Sequence, residues 1–128
     1  MNLKVAEIAK ALGTIVDSQN IINRVSIDSR DVDKNTIFFC IKGERFDGHD
    51  FINDVAEKGV GVIVSHKKTE CNAPIILVED TKQALLDFAS YYRCSFDDLL
   101  VVGLAGSVGK TTSKGMVACV LSQKGETL

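Results

Sequence analysis

Residues 98–124 read DLLVVGLAGSVGKTTSKGMVACVLSQK, and this run decides how the rest of the chain is interpreted. Residues 99–104 form a nearly unbroken apolar run of the kind found in buried parallel strands. A glycine-rich loop follows at once, and beyond it apolar residues recur at helical spacing, at Met116, Val117, Val120 and Leu121. A strand, a glycine loop and a helix in this order predict a phosphate-binding loop. The simpler interpretation is an ordinary glycine-rich turn between a strand and a helix.

The loop GSVGKTT, at residues 106–112, contains the residue types that phosphate binding requires. Gly106 and Gly109 allow the backbone to approach phosphate oxygens, and amides at a helix N-terminus attract anions. Lys110 is the candidate catalytic residue, reaching the β- and γ-phosphates, and the Thr111 hydroxyl is the candidate Mg²⁺ ligand. The nucleotide-binding candidates are Gly106, Ser107, Val108, Gly109, Lys110, Thr111 and Thr112. The match is the short form GxxGKTT, because the first glycine of the strict motif would fall at Leu104.

The composition indicates a globular protein with a hydrophobic core. Of the 128 residues 45% are apolar, and the formal net charge of −2 provides no basic field for nucleic acid. No apolar run approaches the length that spans a bilayer, and the N-terminal residues lack the layout of a signal peptide. We therefore expect a cytoplasmic protein that neither binds nucleic acid nor inserts into a membrane.

The four cysteines give no sign of a metal site or a disulfide framework. Cys40, Cys71, Cys94 and Cys119 lie more than twenty residues apart without a CxxC pair, and Cys40 and Cys119 fall within apolar runs. Buried free thiols are the simpler interpretation, and metal or disulfide bonding is the alternative.

The first 97 residues are expected to form a small mixed-sheet α/β domain with about six short strands and three helices. The predicted helices are 5–12, which Gly13 would cap, 51–56, and 81–92, with Thr81 near the N-cap and Ala84, Leu85, Phe88 and Ala89 inward. The predicted strands are 37–41, 60–65 and 74–78, with shorter pieces at 14–16, 21–22 and 25–27.

Residues 98–128 would then begin a second, nucleotide-binding domain. Such a domain needs more than one strand, so we expect the chain to be the N-terminal piece of a longer protein. The alternative is that the last thirty residues complete the sheet of a small domain.

Two polar segments in the first domain are candidates for binding. Residues 26–30, SIDSR, place small hydroxyls and charges at a strand end, and residues 42–50 form the densest polar stretch, with Phe46 as its lone aromatic residue. Surface ion pairs are the simpler explanation for Arg30 and Arg45. For His49, a capping or hydrogen-bonded loop residue is the preferred interpretation, and a catalytic residue is the alternative.

These segments together resemble a known family. SIDSR at 26–30, KGERFDGHDF at 42–51 and GSVGKTT at 106–112 are similar to the N-terminal part of the Mur ligases. KGERFDGHDF most resembles the branch that adds D-alanyl-D-alanine to UDP-N-acetylmuramoyl-tripeptide. The branch that adds the third amino acid of the stem peptide shares the DSR element and the GxxGKTT loop, and is the nearest alternative. The resemblance covers the whole chain.

The resemblance implies an ATP-dependent amide ligase of peptidoglycan synthesis that uses ATP and Mg²⁺. Residues 1–97 would hold the UDP-precursor, and residues 98–128 would begin the central P-loop ATPase domain. In this family the precursor's terminal carboxylate is phosphorylated by ATP, and the incoming amine, here of D-alanyl-D-alanine, attacks the acyl phosphate. By the same resemblance Ile27 and Ser29 line the uridine-diphosphate site, and Glu44, Arg45 and Phe46 form a second contacting segment.

The resemblance has one departure near the nucleotide loop and leaves other functions open. Ala105 stands where the family commonly has Thr, which removes a hydroxyl from the rim of the loop. Because further catalytic groups of the family would lie beyond Leu128, the chain by itself is expected to be inactive. The alternatives are a uridine-nucleotide-binding module without chemistry and an unrelated small P-loop kinase or regulator, which would need an acidic Mg²⁺ partner.

Overall fold

The computed structural model describes residues 1–126 and divides into two compact units between Phe96 and Asp97. The first unit contains six strands and three α-helices, so the predicted mixed α/β architecture is confirmed. In chain order these are β1 (Leu3–Lys4), α1 (Val5–Ala11), β2 (Ile21–Ile22), β3 (Arg24–Ser26), β4 (Thr36–Phe39), α2 (Ile52–Glu57), β5 (Val62–Ser65), β6 (Ile75–Leu77) and α3 (Thr81–Cys94). A 3₁₀ turn, Gly48–Phe51, leads into α2.

The main sheet has four strands in the order β3-β4-β5-β6, and every neighbouring pair is parallel. The small antiparallel pair β1–β2 forms a separate two-stranded sheet. Consecutive parallel strands need a crossover, which α2 provides between β4 and β5. As a result, all four strands of the main sheet end at the same edge.

Two apolar layers cover the two faces of this sheet. Along β4, Ile37 and Phe39 join a core with α1 and α3, whereas Phe38 and Cys40, the residue after the strand, join a second core with α2. This alternation is the period of two that a strand buried on both faces requires. Such burial explains why residues 36–40 read as a continuous buried run.

Helix α3 is positioned by polar contacts at its first turn. The Asp80 carboxylate is the N-cap and accepts hydrogen bonds from the amides of Lys82 at 2.7 Å and Gln83 at 3.1 Å. The hydroxyl of Thr81, one residue inside the cap, donates to the carbonyl of Cys40 at 2.8 Å. The helix therefore begins at the end of β4.

Some details of the predicted elements differ in the structure. Residues 14–16 form no strand, and Ala89 is exposed because the buried stripe of α3 is narrow, limited to Thr81, Ala84 and Phe88. Gly13 has a φ of 73°, as a left-handed helix cap requires. Cys40 is buried, but Cys94 and Cys119 are exposed, so the prediction of buried thiols is wrong for those two.

The second unit contains α4 (Lys110–Leu121), which follows the glycine loop as predicted. The predicted strand at residues 99–104 is absent, and those residues are exposed. A parallel strand exists only through hydrogen bonds to a neighbour, and no other strand occurs among described residues 97–126. Cys119 is exposed for a related reason, since no residue of α4 is buried.

Candidate functional site

The edge where the main-sheet strands end gathers four loops of the first unit. These loops follow β3, β4, β5 and β6, and each starts at the carboxyl end of its strand. In α/β sheets, ligands bind in the crevice outside the carboxyl ends of the strands. Both polar segments singled out from the sequence lie at this edge.

The turn at residues 26–30 is held by its own side chains. The Ser26 hydroxyl accepts from the amide of Asp28 at 3.1 Å and lies 3.0 Å from the carbonyl oxygen of the same residue. The Asp28 carboxylate accepts from the Arg30 amide at 2.9 Å and pairs with its guanidinium at 2.6 Å. These bonds from Arg30 hold the pKa of Asp28 well below its usual range. Arg30 is therefore committed to a local ion pair.

Ile27 and Ser29, the predicted contacts in this turn, remain available. Ile27 is 60% exposed. The backbone carbonyl of Ser29 accepts from Nζ of Lys58 at 2.8 Å, but its hydroxyl has no hydrogen-bond partner among the described residues. One apolar surface and one free hydroxyl thus face solvent at the end of β3.

The loop at residues 42–47 projects from the end of β4 like a small hairpin. Lys42 and Asp47 face each other as an antiparallel bridge, and the amide of Gly43 donates to the carbonyl of Phe46 at 2.9 Å. The tip, consisting of Glu44, Arg45 and Phe46, is exposed, and Phe46 is 73% accessible. Within the described part of the chain, Arg45 has neither a hydrogen bond nor an ion pair. The expectation of a surface ion pair at Arg45 is therefore not met.

Gly48 allows this loop to return closely over the end of β4. A Cβ at Gly48 would lie 2.8 Å from the amide nitrogen of Ile41 and 2.9 Å from Cα of Cys40. The amide of Gly48 donates to the carbonyl of Ile41 at 2.9 Å. No residue with a side chain fits so near this backbone.

His49 supports the loop from below and is buried, with only 2% of its side chain exposed. Its Nδ1 lies 2.5 Å from Oδ1 of Asp47, and its amide donates to the same oxygen at 3.0 Å. These two bonds, the backbone one first, lower the pKa of Asp47 to about 2. Because that carboxylate is ionised at neutral pH, Nδ1 carries the proton. Nε2 is buried without a hydrogen-bond partner among the described residues.

The pair Asp47–His49 also connects the ends of β4 and β5. The ring of His66, which follows β5, lies with its centroid 4.0 Å from that of His49. Nζ of Lys67 lies 3.9 Å from Oδ2 of Asp47. The spacing Asp47-x-His49 is typical of a side chain that binds the backbone two residues on, but no pattern in the sequence indicates the contact with His66.

An open cleft of about 760 Å³ lies beside His66 at the ends of β6 and α1. Its polar lining is mainly acidic or amide, and apolar side chains complete it. The lining includes Leu12, Thr14, His66, Val78, Glu79, Asp80, Gln83, Ala84 and Asp87. The Asp80 carboxylate in this cleft is already engaged as the α3 cap.

The glycine loop of the second unit leads directly into the start of a helix. Gly109 has a φ of 77°, and α4 begins directly after it, at Lys110. The first intrahelical bond runs from the amide of Ser113 to the carbonyl of Gly109 at 2.9 Å, which leaves earlier amides unpaired within the helix. Nζ of Lys110 donates back to the carbonyl of Gly106. The exposed hydroxyls of Thr111 and Thr112 lie in the same first turn, and unpaired amides at a helix start attract anions.

Two negative findings concern the described residues. Among residues 1–126 no cluster of three histidine, cysteine or acidic side chains could hold a metal ion. Over the same residues no helix has both the length and the apolar character needed to cross a bilayer.

Comparison with known proteins identifies the family. The model of the "Mur ligase family, catalytic domain" matches residues 21–93, from β2 into the last turn of α3. The chain belongs to the Mur ligase family. Among curated Mur ligases, the UDP-N-acetylmuramoyl-L-alanyl-D-glutamate–2,6-diaminopimelate ligase of Aquifex aeolicus is 36% identical over 82% of this chain and 22% of its own length. The UDP-N-acetylmuramoyl-tripeptide–D-alanyl-D-alanine ligase of Escherichia coli is 36% identical over 84% of this chain and 24% of its own length.

Solved Mur ligase structures agree with this placement. A crystal structure of MurF from Acinetobacter baumannii matches with a TM-score of 0.90 and 30% identity, over all of this chain and 29% of that one. MurF from Thermotoga maritima, in complex with ADP, matches with a TM-score of 0.74 and 36% identity, over 80% of this chain and 24% of that one. The chain spans about a fifth of the length of the first curated relatives it matches.

Proposed function

We propose that this chain is the UDP-precursor-holding part, with the start of the ATP-binding part, of an ATP-dependent carboxylate–amine ligase of peptidoglycan synthesis. In this proposal residues 1–97 hold UDP-N-acetylmuramoyl-tripeptide, and residues 98–128 contribute to ATP and Mg²⁺ binding. The amine substrate is D-alanyl-D-alanine. The alternative within the family is the ligase that adds the third stem-peptide amino acid, and relatives of both kinds match the chain.

The observation that carries the uridine-nucleotide proposal is the set of unengaged groups at the carboxyl edge of the main sheet. The hydroxyl of Ser29 and the guanidinium of Arg45 have no partner among the described residues. Exposed apolar surface accompanies them at Ile27 and Phe46. A cation and a hydroxyl suit a diphosphate, and an aromatic face suits a flat base. Glu44, at the same loop tip, completes the proposed contact set.

The proposal predicts that the chain binds UDP and that Arg45→Ala weakens the binding. The expected loss is about 1 to 3 kcal/mol, the range for a hydrogen bond to a charged group. Isothermal titration calorimetry with UDP measures it. Arg93→Ala is the matched control, because Arg93 lies in the last turn of α3, at the end away from Asp80. Equal affinities for Arg45→Ala and wild type would remove Arg45 from the site.

For the second unit we propose that Lys110 approaches the transferring phosphoryl group and that the Thr111 hydroxyl ligates Mg²⁺. ATP supplies the phosphoryl group that activates the precursor's carboxylate. The amides of residues 106–112 would hold the phosphates, and Lys110 would stabilise negative charge that develops during transfer. In the full-length parent, Lys110→Ala should slow ligation strongly. The activation barrier should rise by several kcal/mol, about the effect of removing a charge-stabilising donor.

An ADP-release assay distinguishes the proposed functions. The 128-residue chain should show no turnover with precursor and D-alanyl-D-alanine, because phosphoryl transfer also needs the acceptor aligned and the metal held from a second side. Each amine is tested with its own acceptor. The full-length parent should turn over with UDP-N-acetylmuramoyl-tripeptide and D-alanyl-D-alanine, and fail with UDP-N-acetylmuramoyl-L-alanyl-D-glutamate and diaminopimelate. The reverse preference would identify the sibling ligase, and no turnover with either amine would favour a binding module without chemistry.

A further inference from the structure

Among the described residues, no side chain at the tip of the loop 42–47 has a hydrogen bond, ion pair or ring contact that would hold its position, so we look to the base of the loop. Glu44, Arg45 and Phe46 are all exposed, and the hydrogen bond from Gly43 to Phe46 closes the turn only on itself. The base is Asp47, whose Oδ1 accepts both hydrogen bonds from His49. Any displacement of Asp47 would therefore move the tip.

His49 is well placed to hold Asp47, because several contacts fix its own position. It belongs to the 3₁₀ turn that leads into α2, and its ring is covered by the ring of His66 from the loop after β5. The neighbouring Lys67 adds a cation 3.9 Å from the second oxygen of Asp47. The base of the loop is thus tied to the adjacent parallel strand as well as to its own.

A role in packing alone does not account for a histidine at this position. Nε2 is buried without a partner among the described residues, which costs stability that an apolar ring of similar size would not cost. Only Nδ1 makes a hydrogen bond that Phe could not make. The structural reason for histidine is therefore its bond to Asp47.

We propose that His49 is a positioning residue for the uridine-nucleotide site, which acts through Asp47 to hold the tip Glu44–Phe46 in its binding position. The proposal rests on the function proposed above for that tip. It assigns His49 no contact with the ligand and no chemical step. In this proposal the function of the loop depends on the Nδ1 donor of His49 and not on the volume of its ring.

Two substitutions separate the donor from the ring. His49→Phe keeps the ring and loses the Nδ1 donor, whereas His49→Asn loses the ring but places an amide N–H where Nδ1 lies. His49→Phe should weaken UDP binding by about tenfold, the effect of losing one charge-assisted hydrogen bond, and His49→Asn should restore most of the affinity. His49→Gln, whose amide lies near Nε2, is the second variant lacking the donor if the Phe variant does not fold.

Amide hydrogen exchange provides a readout that does not need the ligand. In His49→Phe the Gly43 amide should exchange about tenfold faster, because the loop opens more often. The Cys40 amide, which donates to the carbonyl of Val64 at 3.0 Å, is the internal reference for the sheet and should not change. A merely structural role would accelerate both amides together.

The outcomes decide the two proposals separately. Wild-type affinity and wild-type Gly43 exchange in the Phe and Gln variants would overturn the positioning role, as would failure of His49→Asn to restore either quantity. If the wild-type chain does not bind UDP, the uridine assignment fails. In that case faster exchange of the Gly43 amide in the Phe variant still supports the claim that His49 positions the loop, and unchanged exchange refutes that claim.

Discussion

The carboxylate of Asp47 should make the stability of the first unit depend on acid pH. Its pKa falls from 3.8 to about 2 on folding, chiefly because the His49 amide and ring donate to it. A carboxyl group whose pKa is lowered on folding contributes its full stabilisation at pH values above its unfolded pKa. This stabilisation of the folded state is lost as the pH falls from 3.8 towards about 2. The loss should be on the order of 2 kcal/mol.

Urea unfolding at about pH 6 and about pH 2.5 measures this loss as a difference in unfolding free energy. Asp47→Asn is the control, since its amide oxygen still accepts from the His49 backbone but has no charge to lose. Other aspartates with lowered pKa values, among them Asp33 and Asp80, contribute equally to both proteins. An identical pH dependence in wild type and variant would contradict the assignment to Asp47.

Gly48 should be the glycine of the 42–50 segment that least tolerates a side chain. Its added Cβ would meet backbone atoms at 2.8 and 2.9 Å, which cannot move aside as a flexible side chain would. Gly48→Ala should cost about 1 to 3 kcal/mol, the usual range for overpacking, in urea unfolding. Gly43→Ala in the same loop is the matched control, because its Cβ would make an ordinary contact at 3.4 Å. Equal costs would show that the loop shifts freely over β4.

At the scale of the element, α3 depends on its cap. Asp80→Ala removes the acceptor for two first-turn amides and should cost about 1 kcal/mol of unfolding free energy. Asp80→Asn retains the acceptor oxygen and should lose much less. Since the hydroxyl of Thr81 joins this turn to the end of β4, the Ala variant should also speed exchange of amides at the start of α3. Similar stability for the Ala and Asn variants would mean that Asp80 does not act as a cap.

For the whole molecule, the two units should differ in protection from hydrogen exchange. The β4 strand around Ile37 is fully buried, whereas α4 buries no residue. Amides that follow Val101 should therefore exchange much faster than those of β4, since opening them exposes little apolar surface. Exchange followed by mass spectrometry tests this on the 128-residue chain. Equal protection in the two regions would contradict the prediction.

Two similar apolar runs show what the sequence can and cannot predict. Residues 37–41 and 99–104 read alike, yet the first contains a buried strand and the second an exposed, irregular segment. An apolar run indicates that a strand would bury both faces, but it does not say whether partner strands exist. The element types of the first unit were predictable because they depend on neighbouring residues: the spacing of apolar residues along a helix and the glycines that end helices can be read within a short segment.

The candidate site was predictable in part, for the same reason. The loops containing Ser29 and Arg45 were identified by residue type and resemblance, but their presence at one edge depends on parallel pairing, which is not local. The contact between His49 and His66 joins residues from the loops after two different strands, and no spacing rule predicts it.

The parallel order of the main sheet also has a consequence for how the chain reaches its fold. Val25 pairs with Ile37 and Ile63 with Ile75, twelve positions apart, whereas Ile37 pairs with Val62, twenty-five positions apart. No main-sheet pair can start from a hairpin, so each pays for closing a loop, and doubling that loop adds about 0.6 kcal/mol. The β4–β5 pair should therefore close last and limit the folding rate. Val62→Ala, which weakens that pair, should then lose stability mainly through slower stopped-flow refolding, and a loss that came mainly from faster unfolding would contradict this order.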